Sequence, residues 1–321
     1  MGTGVGIVVL NYRTADLTVE CLRSLSGEVQ QGRARVIVTD NASGDGSVER
    51  IEASIRAFGW GQWASVLGLD RNGGYAFGNN AGIRAFLDSR DSPGTLMLLN
   101  PDTQVRPGAI GALREFMEGH PRVGIVGSQL EDPAGTLQAS GFRFHTVLSE
   151  LDGGMRLGIV SRLIGDKGVV LPPSRVARRV DWVSGACMMI RRAVLDSIGL
   201  LDEGYFLYFE EVDFARRAAE AGWECWVEPR SRVMHLQAQA TGVEGPKSRE
   251  KRRPTYWFDS RRRYFVKHHG RAYAMTADAV WALGYLSWRA RRVIQRKPDP
   301  DPPQLLRDFI RNSVFARGFK I

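Results

Sequence analysis

The first 128 residues alternate between short apolar runs and stretches with helical spacing, and few folds accommodate that order. Apolar runs at 5–10, 35–39, 64–69, 95–99 and 123–127 read as strands, and the segments 14–25, 47–58, 76–87 and 107–117 between them read as helices. Strands that are apolar on both faces must be covered on both faces, which calls for a parallel sheet with crossover helices on either side. Right-handed crossovers then give a doubly wound, Rossmann-like α/β domain. The second half is less regular. A strand is expected at 181–190, a helix at 209–221 closed by Gly222, and short strands at 223–227 and 232–236. Residues 150–180 are rich in Gly, Arg and Pro and read as a loop, either mobile beside a site or a plain surface connection. A polar loop at 241–253 leads to helices near 255–268, 272–292 and 303–315.

In an open parallel sheet, ligands gather at the carboxyl ends of the strands. Asn11 and Tyr12 follow the first run, Asp40 and Asn41 the second, Asn72, Gly73 and Gly74 the third, and Asn100, Pro101 and Asp102 the fourth. Any one such cluster is an ordinary turn former. Four in succession outline one rim of a site. Gly73, Gly74 and Gly78 would let backbone approach a ligand there. No G-x-G-x-x-G follows the first strand, which disfavours a nicotinamide-dependent dehydrogenase.

Composition narrows the setting. With 43% hydrophobic and 25% charged residues in 321, the chain can bury a core and is expected to form about two domains. Cys21, Cys187 and Cys225 are too scattered for a disulfide framework or a CxxC site, which points to a reducing cytosol. The 5–10 run is too short for a signal-peptide core, and 272–288 carries Asp278 and falls short of a spanning helix. Residues 251–321 hold 17 Lys and Arg against 5 Asp, a net +12, so the total of +9 leaves −3 for residues 1–250. Trp281, Tyr285 and Trp288 share a helical face next to Arg289, Arg291, Arg292, Arg296 and Lys297. Such a combination suits an anionic membrane surface; the alternative is that these helices pack against protein and bury the aromatics. Nucleic acid is not expected as a partner, since no nucleic-acid motif accompanies the charge.

Seven landmarks follow one another along the chain: Val8-Val9-Leu10-Asn11-Tyr12, Thr39-Asp40-Asn41-Ala42-Ser43, Asn72-Gly73-Gly74-Tyr75-Ala76-Phe77-Gly78-Asn79-Asn80-Ala81-Gly82, Leu99-Asn100-Pro101-Asp102, Trp182-Val183-Ser184-Gly185-Ala186, Tyr208-Phe209-Glu210-Glu211-Val212-Asp213-Phe214, and His235. In order and spacing, over roughly residues 5–237, they resemble the inverting family 2 glycosyltransferases of the GT-A fold, and within these the bacterial rhamnosyltransferases that use a dTDP-sugar donor. The resemblance implies a mostly parallel, Rossmann-like sheet flanked by helices. It places a catalytic domain at 1–240, with a nucleotide-sugar half at about 1–128 and an acceptor half at about 129–240, followed by a basic, aromatic helical region at 241–321.

The resemblance also assigns roles. Asp40 would contact the base and ribose; the alternative is a turn or capping aspartate. Asn11, Tyr12, Asn41, Asn72, Gly73 and Asn80 would line the nucleotide-sugar site, with capping the alternative for Asn80. Asn100-Pro101-Asp102 stands where the family has a D-x-D-like motif. Asp102 would hold Mg²⁺ or Mn²⁺ against the donor phosphates, and Asn100 would sit nearer the sugar or ribose. His235 would join the metal or diphosphate, or be structural. Glu211 falls where the family has its general base, as Glu for Asp; burial would raise its basicity. Acids in a first helical turn are also favoured by the helix dipole alone. Asp213 would orient Arg216 or Arg217. Glu210 and Trp182 belong to the acceptor side, with a core role the alternative for Trp182.

The implied reaction moves one sugar, L-rhamnose by resemblance, from a nucleotide diphospho-sugar to a glycan acceptor. That acceptor would be lipid-linked, in cell-surface polysaccharide synthesis at the inner face of the cell membrane. Another donor, such as a galactofuranosyl or hexosyl nucleotide, or a non-catalytic nucleotide-sugar-binding protein, stays open, as does self-association.

Overall fold

A computed structural model describes residues 2–32, 34–236 and 251–321. The polar loop expected at 241–253 therefore lies, as far as residue 250, outside the described residues. In chain order the elements are β1 (Gly2–Asn11), α1 (Ala15–Gly32), β2 (Ala34–Asp40), α2 (Ser47–Ala57), β3 (Ala64–Gly68), α3 (Gly74–Leu87), β4 (Pro93–Leu99), β5 (Thr103–Val105), α4 (Ala109–Gly119) and β6 (Val123–Glu131). There follow β7 (Gly141–Phe142), α5 (Val147–Met155), α6 (Gly158–Ile164), β8 (Arg178–Val180), β9 (Trp182–Val183), β10 (Cys187–Arg191), α7 (Arg192–Ile198), α8 (Glu210–Glu220) and β11 (Glu224–His235). The last are α9 (Thr255–Ile294), α10 (Leu305–Asn312) and α11 (Val314–Arg317). The chain divides into two compact units, one of Met1–Phe142, Pro172–Glu203 and Glu210–Ala240, the other of Arg143–Leu171, Gly204–Phe209 and Thr241–Ile321.

The first unit is built on a sheet ordered β3-β2-β1-β4-β10-β6-β11-β5, with β8 also pairing β11. Its first four strands are parallel, and the apolar runs of the two inner ones, β1 and β4, are buried on both faces. Ile7, Val8 and Val9 are fully buried, and every position of β6 is buried. Helix α3 lies close on β1 because it presents glycine there. A Cβ on Gly78 would stand 2.3 Å from Leu10, and one on Gly82 2.6 Å from Val8. Gly78 thus serves helix-to-sheet packing, not the ligand approach expected of it.

Beyond β4 the sheet is mixed, since β10 runs antiparallel to both β4 and β6. The strand expected at 181–190 is interrupted by a turn, in which the Ser184 hydroxyl accepts the Ala186 amide and the Ser184 carbonyl accepts the Cys187 amide. Conversely, the two short strands expected at 223–227 and 232–236 are one strand, β11, whose register against β6 shifts between Glu228 and Arg232. Pro229, which has no N–H to donate, sits in that break.

The second unit is helical. Residues expected as loop at 150–180 instead carry α5 and α6. The Thr146 hydroxyl accepts the Ser149 amide, and the Ser149 hydroxyl accepts the Thr146 amide, a reciprocal cap that starts α5. Helix α9 breaks at Gly270, where φ is +81°, and so delivers the two helices expected there. The aromatic stripe is the main correction. Trp281 and Tyr285 are buried with Phe258, Leu305 and Phe309, and Trp288 packs against this cluster. Trp281 stacks on Phe309 at 3.9 Å, because α10 folds back and covers the face expected to meet a membrane. Beside it the buried Arg261 is shared between Glu150 and Asp278. Among the described residues, no helix is long and apolar enough to cross a membrane.

Candidate active site

The carboxyl ends of β1, β2 and β3 form one hydrogen-bonded rim. Asn11, fully buried, donates from Nδ2 to Asp40 Oδ2 at 2.6 Å and accepts the Thr18 hydroxyl at 2.8 Å. Asp40 also accepts the Ser43 amide at 2.9 Å and the Ser43 hydroxyl at 2.6 Å. Its carboxylate is therefore engaged inside the protein and shapes the Asn41–Ser43 turn, in which Ala42 takes a left-handed φ of +56°. Asn41 reaches across to the next loop, donating to Asn72 Oδ1 at 2.8 Å and to the Gly74 carbonyl at 3.1 Å. The Gly73 amide in turn donates to Asn41 Oδ1 at 3.4 Å. Tyr12 is half-buried under the Arg13 guanidinium. A cavity of about 260 Å³ opens at this rim, lined by Arg13, Asp16, Asp45 and Arg50 among others. Arg13 is a residue the sequence reading passed over.

Asn80 does not join the rim. Buried in α3, it accepts the Leu201 amide and donates to the Leu201 carbonyl and to Glu203, which fastens the 201–203 segment. Trp182 is likewise buried, stacked on Phe142 at 4.2 Å.

The fourth strand end builds a second cluster. Thr103 of β5 faces His235 of β11 in antiparallel register, so the residue before Thr103 meets the end of β11. Asp102 Oδ1 lies 3.4 Å from His235 Nε2. The Asp102 carbonyl accepts the Leu236 amide, which fixes the backbone independently of the side chain. Asp102 is 1% exposed, and among the described residues its Oδ1 accepts no hydrogen bond. A buried carboxylate oxygen left without a donor next to an imidazole suits a divalent cation whose remaining ligands come from phosphate and water. Among the described residues no group of three or more His, Cys, Asp or Glu converges as a complete protein cage.

A third cluster is tied to the second through the β9–β10 turn. The Asn100 amide donates to the Ala186 carbonyl at 3.0 Å, and the Tyr75 hydroxyl donates to the adjacent Gly185 carbonyl at 2.7 Å. Burial, and then the charges of Glu210 and Glu211, raise the Tyr75 phenol well above its ordinary value. The Tyr75 phenol is thus within electrostatic reach of both acids. It lies inside the Gly-Gly-Tyr motif, yet its role was not visible until the turn carrying Gly185 was in place. Asp213 accepts Arg217 Nε at 2.8 Å, and Arg217 then donates to the carbonyls of Ile198 and Leu200.

Glu210 and Glu211 open α8 from an unusual approach. Tyr208 and Phe209 both take left-handed φ, +69° and +68°, a costly conformation for bulky side chains. Burial, reinforced by the neighbouring Glu211 charge, holds the Glu210 carboxyl well above the usual carboxylate range. The folded state thus favours protonated Glu210 more than the unfolded chain does. Its contribution to stability is complete below the unfolded value of ~4.3 and is lost as pH rises through the raised one. Glu210→Gln is expected to stabilise the protein at pH 8 and to change little near pH 4. Urea denaturation at both pH values checks this, and an equal effect at the two would refute it.

The family model described as "Glycosyltransferase like family 2" matches residues 3–258. An N-acetylglucosaminyl-diphospho-decaprenol L-rhamnosyltransferase of Mycobacterium tuberculosis is 27% identical over 299 residues, covering 89% of this chain and 88% of that protein. Among solved structures, GalNAc-T7 with UDP, GalNAc and Mn²⁺ superposes with a TM-score of 0.58 at 14% identity, covering 92% of this chain and 58% of that one. The mannosyltransferase PcManGT from Pyrobaculum calidifontis, in complex with GDP-Man and Mn²⁺, gives 0.56 at 13% identity, covering 99% and 88%. At such identities the structures speak to the fold alone, and they share the GT-A architecture. With a matching family model over most of its length, this chain belongs to the family 2 glycosyltransferases.

Proposed function

We propose that the chain transfers L-rhamnose from a dTDP-sugar to a lipid-linked glycan acceptor, with inversion, in cell-surface polysaccharide synthesis at the inner face of the membrane. The observation that carries a catalytic reading is the continuity of the last two clusters. Asp102 pairs with His235, and Asn100, two residues before it, is bonded to the Ala186–Gly185 turn that holds Tyr75, whose phenol feels the charges of the acids at the start of α8. The rhamnose donor and lipid-linked acceptor rest on the mycobacterial relative, whose name states both a diphospho-decaprenol substrate and rhamnosyl transfer.

In this reading the nucleotide lies along the Asn11–Asp40–Asn41–Asn72 rim, with its base beside the Arg13 cavity. Asp40 acts by holding the turn that receives it. Asp102, with His235, would hold Mg²⁺ or Mn²⁺, which when bound neutralises charge on the departing nucleotide diphosphate. Glu211 takes the proton of the attacking acceptor hydroxyl. Glu210, adjacent and prone to keep its proton, spares Glu211 a second negative neighbour. Tyr75 fixes the turn between the two clusters.

The membrane contact is carried by a different surface from the aromatic stripe. Leu283, Leu286, Val293 and Ile294 are exposed along one side of α9, beside the basic residues of that helix. This supports reversible, peripheral attachment.

Turnover with a panel of dTDP-rhamnose, UDP-galactofuranose and UDP-hexoses, on a polyprenyl-diphosphate-linked acceptor with Mn²⁺, tests the reading. At least a tenfold preference for dTDP-rhamnose, about 1.4 kcal/mol in transition-state free energy, is expected. A hexosyl donor in first place would replace rhamnose. No turnover with any donor would favour a non-catalytic nucleotide-sugar-binding protein.

A further inference from the structure

Helix α10 covers the aromatic face of α9, but beside that seam the packing leaves a trough. It is a cavity of about 320 Å³ within the second unit, walled by Ala279 and Ala282 of α9, Phe309 and Ile310 of α10, and Phe315 and Ala316 of α11. Alanine makes the space, since α9 presents only methyl groups there. The polar residues Asp278 and Ser313 in this wall are engaged by the protein. Asp278 receives Arg261 on Oδ1 and the Val314 amide on Oδ2, and the Ser313 hydroxyl donates to the Ile310 carbonyl at 2.7 Å. The space therefore suits hydrocarbon better than a polar ligand.

The apolar lining does not end at the cavity. Ile310 is 50% exposed and Phe315 60%. On α9, Leu283 and Leu286 stand four residues beyond Ala279 and Ala282, which continues the same face, and both are exposed. Apolar rims on both walls mark a contact surface. Its charge selects the partner. Residues 304–321, which carry α10 and α11, hold four Lys and Arg against one Asp, and that Asp308 is bound by Arg252. Arg311 directly follows Ile310, Arg317 lies two residues after Phe315, and both arginines are exposed. A second copy of this face would bring like charges together. An anionic bilayer attracts them and offers hydrocarbon beneath its charge.

We propose that the trough between α9, α10 and α11 seats one acyl chain of an anionic phospholipid, with Ile310 and Phe315 inserted beside it and the cations of α10 and α11 at headgroup level. This rests on the peripheral-attachment reading and adds its anchor. It does not depend on sugar transfer.

The test uses the full chain and flotation on phosphatidylcholine vesicles with and without phosphatidylglycerol. Binding to phosphatidylglycerol vesicles should fall at least about tenfold in Ile310→Ser/Phe315→Ser and in Ala282→Trp, which fills the trough. It should be unchanged in Phe58→Ser, which removes an exposed phenylalanine of the first unit. The unfolding midpoint checks that each variant folds. A second measurement reads depth directly. Cys21, Cys187 and Cys225 are buried, so a fluorophore can be placed selectively on Phe315→Cys. Its emission should be quenched more by a nitroxide on the acyl chain than by one on the headgroup, and this decides the matter if Ala282→Trp does not fold. Flotation that survives the variants, with a label on Leu286→Cys quenched and one on Phe315→Cys silent, keeps peripheral attachment and overturns the trough as its anchor. Absence of flotation by the unaltered chain overturns both. A label on Phe315→Cys that responds to protein concentration without vesicles gives the face to a second copy and overturns the proposal.

Discussion

Glu211→Gln should lower kcat by ~10² or more while leaving nucleotide binding intact, because general-base assistance contributes about that much and the amide keeps the shape without accepting a proton. The geometry sets the control. Glu210 and Glu211 are adjacent at the start of α8, and two neighbouring carboxylates in a partly buried site do not both ionise freely. Burial falls hardest on Glu210, which is 3% exposed. Glu210 is therefore the acid that tends to keep its proton, which leaves Glu211 to accept one. Glu210→Gln should retain most of the turnover. The reverse pattern, with Glu210→Gln dead and Glu211→Gln active, would move the base by one residue. Steady-state kinetics, with nucleotide affinity measured separately by calorimetry, distinguishes lost chemistry from lost binding. The left-handed pair Tyr208 and Phe209 stores strain of order 1–3 kcal/mol per residue immediately before these acids. Such a cost is tolerable where the following side chains must be aimed.

The strand–helix order of the first 128 residues was legible because two-sided burial leaves an unmistakable trace, a run with no polar residue, as at the start of β6, residues 123–127. The rim was legible for a related reason: Asn11, Asp40, Asn41 and Asn72 do come together, and hydrogen bonds join all four. Their division of labour was not. Sequence position cannot tell a carboxylate aimed at a ligand from one that, like Asp40, is saturated by its own turn. Asn80 shows the same limit, since its partners Leu201 and Glu203 are distant in the chain. The aromatic stripe of α9 was read correctly as a face and wrongly as a surface. Periodicity reveals that a face is apolar; only the position of α10 reveals what covers it.

Asp102→Asn should abolish metal-dependent donor binding and leave the fold intact. The fold is protected because the main chain at this position is held by the bond from the Leu236 amide to the Asp102 carbonyl, and asparagine keeps the side-chain volume. The loss should be severe because Asp102, beside His235, would supply the carboxylate to the cation, and an amide is a far weaker ligand for a hard cation. A drop of ~10² in affinity for a nucleoside diphosphate with Mn²⁺ is expected, against little change in the weak binding seen with EDTA. Thermal unfolding reads the same difference. A ligand at 100 times its Kd stabilises the folded state by about 2.7 kcal/mol, and a ~10² loss of affinity should cut that increment to about 0.4 kcal/mol in the variant. His235→Ala should weaken the same increment less, since it removes a neutral donor and leaves the charge. Full activity of the unaltered enzyme in excess EDTA would remove the cation, and with it the role given to Asp102. Equal loss of nucleotide affinity with and without Mn²⁺ would instead make Asp102 a support for the 100–103 turn.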